Sequence, residues 1–244
     1  MNAQVKLPLG PPISCQECSV GRFAVYGPTF SERPDALSTC RRGIVHYEGQ
    51  RTVMRENEVP EFIYTIFSGW AFRYVQKTDG RRLILAFLVP GDLISVETLC
   101  LPGMPLPFSV KTLTPASLCQ FKLTDLLRLL DERDGQKTEV HLNARNYIQT
   151  MNRRLFDLGR RSAAGRMAQL LLELHSRLQQ RGMTMDGRFN FPIRQEHIAD
   201  ALGITPAHVN RTLVDLRQRG LVQFARDEMQ VVDLSRLREI AEEE

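Results

Sequence analysis

The sequence predicts an α+β chain assembled in series: an antiparallel β half, one long helix, and a helical C-terminal module containing a helix-turn-helix and a wing. Three observations carry that prediction. Between residues 40 and 122, short runs rich in Tyr, Ile, Val and Phe alternate with turn signals. Residues 144–158 place apolar side chains at heptad spacing. Residues 194–216 read as two helices joined through a glycine.

The β half rests on segments such as FIYTIFSGWAFRYV, KTDGRR and LILAFLVPGD. β-branched and aromatic residues favour a pleated, half-buried surface, and Asp79-Gly80 between two such runs is a hairpin signal. The pattern predicts an antiparallel roll or sandwich with no helix between residues 40 and 122. Ahead of it, residues 1–35 carry scattered Pro and Gly (Pro8, Gly10, Pro11, Pro12, Gly21, Gly27) and little periodicity, which reads as an arm.

After Lys122 the period changes. TDLLRLLDERDG has helical spacing. The next segment sets Ala144, Ile148, Met151, Leu155 and Leu158 in steps of 4, 3, 4 and 3. That narrow seam, flanked by Arg145, Gln149, Asn152, Arg153 and Asp157, can pair with its own copy or pack on the β half. From Ala163 onward the chain reads as three helices and a small hairpin. Gly203 can end RQEHIADALG with a positive φ, Thr205 can cap the following helix, and Pro206 suits its first turn. Ile198, Leu202, Val209, Leu213 and Leu216 are the expected core of the pair, and LVQFARDEMQVVDL supplies a wing turning at Asp227-Glu228. The expected segments are an arm at 1–35, a roll at 36–135, a pairing helix at 136–162 and a winged module at 163–244.

Composition narrows the function. Apolar residues at 43% and charged residues at 25% suit a folded globular chain, and 244 residues suit two domains. No apolar run reaches the roughly 18–20 residues that cross a bilayer, and MNAQVKLPLGPP lacks the apolar core of a secretory signal. The expected location is therefore the cytoplasm, with no membrane partner. The five histidines (His46, His141, His175, His197, His208) lack ligand spacing, and no nucleophile–base pair or phosphate loop stands out. An enzyme is not expected. From Arg160 to Arg226 there are eleven arginines, no lysine and five acids, an excess larger than the +4 of the whole chain. Such a block is either a phosphate-binding surface or a solvated helical face.

The helix pair gives that charge a use. The start of its second helix can enter a major groove about 12 Å wide. Arg211 can fork onto guanine O6 and N7, and His208 or Asn210 can reach neighbouring bases. Thr205 and Pro206 begin that helix, while Arg194, Gln195 and Arg226 would meet phosphates, which set register without reading sequence. The alternative use is a helical hairpin for protein contacts.

In this order of parts the chain resembles the Crp–Fnr regulators, and the resemblance spans nearly its whole length. LVPGDLI at 88–94 resembles the family's Gly-Asp turn, FIYTIFSGWAFRY its strand-Gly-strand unit, and RQEHIADALGITPAHVNRTL its helix-turn-helix. The resemblance implies a cyclic-nucleotide-binding-like jelly roll and a homodimer paired through Ile148, Met151, Leu155 and Leu158. It also implies a twofold-symmetric operator in double-stranded DNA, and RNA polymerase as a partner.

Two departures bear on the signal. The family's nucleotide branch holds ribose and phosphate with a Gly-Glu-Leu turn and an Arg-Ser pair. Here those stretches read Ser95-Val96-Glu97 and Pro107-Phe108-Ser109-Val110, with no arginine between Arg82 and Arg128. A buried phosphate would go uncompensated, so cyclic nucleotide is not expected. The oxygen-sensing branch holds an iron–sulfur cluster on four cysteines, and Cys15, Cys18 and Cys119 fall on three of those positions. Ala24 and Tyr26 occupy both places where the remaining thiolate could stand, and Cys40 is the other thiol nearby. The cysteines are left with three readings: an atypical cluster, a thiol or disulfide switch, or small buried apolar groups in a regulator without a ligand.

Overall fold

The computed structural model describes residues 15, 17–23, 34–132 and 134–242. Most of the expected arm, including Ala24 and Tyr26, lies outside the described residues. The chain divides into two compact units, Met1–Val75 with Leu85–Gln149, and Gln76–Ile84 with Thr150–Glu244.

In the first unit, α1 (Pro34–Cys40) leads into β1 (Arg41–Tyr47), β2 (Thr52–Met54), β3 (Phe62–Ser68), β4 (Ala71–Gln76) and β5 (Arg82–Leu88). A one-turn helix α2 (Glu97–Cys100) follows, then β6 (Ser109–Thr112), β7 (Ala116–Lys122), α3 (Leu123–Asp131) and the long α4 (Asp134–Arg160), whose residues from Thr150 onward belong to the second unit. The strands form two sheets, ordered β1-β7-β3 and β2-β6-β4-β5. The roll is therefore not purely β as the sequence pattern implied: Glu97–Cys100 closes one turn after the Gly91-Asp92 bend. That bend is held by the Val89 amide donating to Asp92 Oδ2 at 2.8 Å and the Gly91 amide donating to the Ile66 carbonyl at 2.8 Å.

Strand alternation divides the apolar residues between two cores. Ile66 of β3 and Ala116 and Leu118 of β7 join Met54, Ala71, Phe108 and Val110 in one. Ile63, Phe67, Cys119 and Phe121, of opposite parity, join Leu37 of α1, Leu126 and Leu129 of α3 and Val140 of α4 in the other. Ile63 and Leu126 are fully excluded from solvent, which is worth about 1.5–3 kcal/mol for each side chain. The link between β3 and β4 requires glycine. Gly69 has φ +82°, and a β-carbon there would come within 2.3 Å of the Pro115 carbonyl oxygen.

In the second unit, α5 (Ala163–Gln180) starts where the Ser162 hydroxyl accepts the Gly165 amide at 3.0 Å. β8 (Arg188–Asn190), α6 (Gln195–Leu202), α7 (Pro206–Gln218), β9 (Val222–Ala225), β10 (Glu228–Val231) and α8 (Leu234–Glu242) follow. The small sheet is ordered β8-β10-β9. Glu228 pairs with Ala225, so Arg226 and Asp227 form the wing turn, one residue earlier than expected, with Arg226 at φ +55°. The fourth helix, α8, goes beyond the three that the sequence reading found. It is capped by Asp233 Oδ1, which accepts the Arg236 amide at 2.9 Å, and it buries Leu237, Ile240 and Ala241. That cap and spacing were present in the sequence but sat behind the charge-rich end SRLREIAEEE. The tip of the β4–β5 hairpin belongs to this unit, where Arg82 Nε donates to Asp200 Oδ2 of α6 at 2.8 Å.

Candidate nucleic-acid interface

The turn between α6 and α7 is built as its residues dictate. Gly203 adopts φ +65° and ψ +36°, and its amide returns to the Ala199 carbonyl. Arg166 donates from Nη1 to the Leu202 carbonyl at 2.9 Å, satisfying another carbonyl at the end of α6. The Thr205 hydroxyl accepts the His208 amide at 3.3 Å, and Pro206 occupies the first turn, where its missing N–H costs nothing. Ile198, Leu202, Val209 and Leu216 are buried between the helices, with Leu213 half-buried.

That packing leaves the start of α7 facing outward. Thr205, Pro206, Ala207, Asn210 and Arg211 are exposed, and His208 is half-buried. Arg194 and Gln195 are exposed at the start of α6, and Arg226 is exposed at the wing tip. His197, in the middle of α6, is buried, and burial pushes its imidazole pKa below the ordinary value, favouring the neutral ring. It belongs to the packing of the module, unlike the exposed residues around it.

The seam on α4 divides. Ile148 is 57% and Leu155 69% exposed in the single chain, with Phe156 at 55% beside them. Met151 and Leu158 are half-buried. The Leu158 Cδ2 lies 3.6 Å from where a β-carbon on Gly203 would stand, so this residue packs on the helix-turn-helix of its own chain. Nearby, Arg154 and Arg177 hold Glu173 at 2.8 and 3.2 Å. Burial alone would raise that carboxyl, yet the two guanidinium groups keep it below the usual carboxylate range.

In the first unit, Cys15, Cys18 and Cys119 line one apolar pocket with Val20, Leu37, Arg41 and Phe121. The Cys119 thiol is pushed up to about 12, chiefly by burial, with Cys18 and Cys15 adding to the effect and Arg41 opposing it. Cys40 does not face this pocket: its Sγ lies 3.6 Å from the Asp125 carbonyl, and it lines a separate groove with Arg42 and Asp125. Among the described residues, no three His, Cys, Asp or Glu side chains are grouped closely enough to hold a metal ion. Three thiols around an apolar space, with neither Cys40 nor Cys100 among its lining residues, do not fit a four-thiolate iron–sulfur cluster.

The roll interior contains a residue that the sequence reading overlooked. Arg73 of β4 is 3% exposed. Its Nη1 donates to Glu97 Oε1 at 3.0 Å and its Nη2 to the Leu93 carbonyl at 3.3 Å. The stretch from Arg82 to Arg128 has no arginine between its ends, and the buried cation precedes both. The signal was strand parity, since Ala71, Arg73 and Val75 share a face and Ala71 is a core residue. With Nη1 on Glu97 and Nη2 on the Leu93 carbonyl, this guanidinium would reach a cyclic phosphate only in competition with that carboxylate.

This architecture is shared with known proteins. The description "cyclic nucleotide-binding domain" matches residues 44–133, and "Crp-like helix-turn-helix domain" matches residues 165–240. The transcriptional activatory protein AadR of Rhodopseudomonas palustris is 29% identical over 228 residues, covering 92% of this chain and 91% of the relative. The nitrogen fixation regulation protein FixK of Bradyrhizobium diazoefficiens is 28% identical over 230 residues, 93% of each chain. The structure of FixK2 from Bradyrhizobium japonicum shares the fold with a TM-score of 0.73 at 24% identity, covering 81% of this chain and 96% of that one. The chain belongs to the Crp–Fnr family of transcription regulators, with a helix-turn-helix DNA-binding domain.

The raised Cys119 thiol has a measurable consequence. In the unfolded chain it ionises near the ordinary value of 9.0, while in the folded protein it stays protonated up to about 12. Raising the pH through that window therefore favours the unfolded state, by up to about 1.4 kcal/mol per pH unit. Urea unfolding between about pH 9 and pH 10.5 should show wild type losing stability relative to Cys119→Ala. A stability difference that stays constant across that range would contradict the burial of this thiol.

Proposed function

We propose that the chain binds a twofold-symmetric operator in double-stranded DNA as a homodimer in the cytoplasm, and that it acts on transcription through RNA polymerase. The observation that carries this reading is the exposed start of α7, where Asn210 and Arg211 project from a module fixed by Gly203 and Thr205. Arg211, Asn210 and His208 read base edges; Thr205, Pro206, Arg194, Gln195 and Arg226 approach the backbone. The working division of the chain is an arm at 1–35, a sensor roll at 36–135, a pairing helix at 136–162 and a winged module at 163–244. Ile148 and Leu155 form the centre of the pairing seam, because a single chain leaves them open to water. Met151 and the inward-leaning Leu158 flank it. Neither a cyclic nucleotide nor a four-thiolate cluster is the signal, since the donor groups each would need are paired or turned away.

Two variants test the two halves of this reading. Arg211→Ala should weaken binding to the selected operator by about 1–3 kcal/mol while nearly preserving affinity for unrelated duplex, measured by fluorescence anisotropy at fixed salt. Equal losses on both duplexes would make Arg211 a phosphate contact. Leu155→Asp would place a carboxylate in the seam, so the protein should sediment as a monomer and lose tight operator binding. A Leu155→Asp protein that remains dimeric would refute the seam.

A further inference from the structure

The roll contains a buried charge whose partners come from three directions. Arg73 projects from β4 into the interior, and its side chain is 4% exposed. Its Cζ lies 4.8 Å from the centre of the Phe108 ring and 4.8 Å from the centre of the Tyr147 ring. Phe108 belongs to the core between the two sheets, whereas Tyr147, on α4, packs against the core on the opposite side of the β1-β7-β3 sheet. Glu97 supplies the counter-charge, and the Ser95 hydroxyl donates to Glu97 Oε2 at 3.2 Å while sharing a 2.8 Å hydrogen bond with Thr98. Arg73 Nε has no hydrogen-bond partner among the described residues.

Removing a guanidinium from water is costly, and an apolar side chain of similar size would serve a core as well or better. The interior keeps the charge together with an acid, a carbonyl and two aromatic faces. The only one of those partners on the long helix is Tyr147. A desolvated cation over an aromatic face is among the stronger contacts available to an aromatic side chain, and it is lost if the ring moves away. Phe108 and Glu97 fix the cation to the roll, and Tyr147 fixes the helix to the cation.

We infer that the roll carries an effector built into the chain: the Arg73–Glu97 pair ties α4 to the roll through Tyr147, the task a bound small molecule would otherwise perform. The link holds α4 in its DNA-competent position with no ligand present. This rests on the proposed function above, because it supplies the reason such a regulator needs no ligand. It concerns residues of the first unit only, so it can be measured without DNA. Tyr147 is a positioning residue, acting through the helix that carries the seam.

The test is hydrogen exchange on the full-length protein, read by mass spectrometry on peptides covering residues 140–149, alongside operator binding. Tyr147→Leu removes the aromatic face and keeps an apolar side chain. It should speed exchange in that segment by about tenfold, leave the peptides of β3 and β7 protected, and weaken operator binding by a comparable factor. Tyr147→Phe keeps the ring and should match wild type in both readouts. The double variant Arg73→Met with Glu97→Gln removes both charges together, leaves no unpaired ion, and should reproduce the faster exchange if Tyr147→Leu fails to fold. Unchanged exchange at 140–149 in both Tyr147→Leu and the double variant would overturn the inference. So would wild-type protein in which cyclic AMP slows exchange there, since the interior would then accept a ligand. Wild type that fails to bind any symmetric duplex, yet shows the predicted exchange differences, would refute the proposed function and leave the internal link standing.

Discussion

Gly203 closes α6 in the left-handed region of backbone space, and that conformation sets the direction in which α7 leaves the turn. A residue with a β-carbon would carry a steric penalty at φ +65°, although Leu158 would leave it room. From this point the remaining geometry is forced. Thr205 caps α7 directly after that turn, and Val209 and Leu216 are buried with Ile198 and Leu202. Burying those four side chains turns Asn210 and Arg211 outward, since residues one and two positions beyond Val209 lie off its face of the helix. The candidate interface follows from the core beneath it.

The first unit is organised by a similar constraint in its strands. β7 is central in its sheet and contributes alternate residues to two cores, so its parity cannot slip without exposing both sets. Cys119 lies on the side that receives α1, α3 and α4, which explains both its burial and the rise in its pKa. Arg73 shows the same parity rule applied to a charge. Its strand position directs it inward, and the surrounding residues compensate it there with an ion pair and two ring faces. This part of the fold matches a cyclic nucleotide-binding domain, and here its interior holds the Arg73–Glu97 pair.

Much of this was legible in the sequence because its causes are local. The Gly203–Thr205–Pro206 turn and the Asp79-Gly80 hairpin each depend on residues adjacent to one another, and each formed as read. What the sequence hid depended on distant partners. Strand parity sets Arg73 on the face of Ala71, but Glu97, Phe108 and Tyr147, which compensate its charge there, come together only in the fold. Leu158 fits the seam by spacing, yet it packs beside Gly203, 45 residues later in the chain. Cys40 could have joined the other thiols by distance along the chain, but α1 turns it toward Asp125. The terminal helix was missed for a different reason, since its apolar residues are sparse and become recognisable only once α5 offers a surface to cover them.

The central claim is that the start of α7 lies in the major groove of two symmetry-related half-sites. Methylation interference tests it directly, because methylation at guanine N7 blocks the major groove and methylation at adenine N3 blocks the minor groove. On an operator selected from random duplex by the full-length protein, interference should fall on N7 of guanines in two inverted clusters, centred about 10 base pairs apart or a multiple of that spacing. A single cluster, or interference confined to adenine N3, would contradict the account.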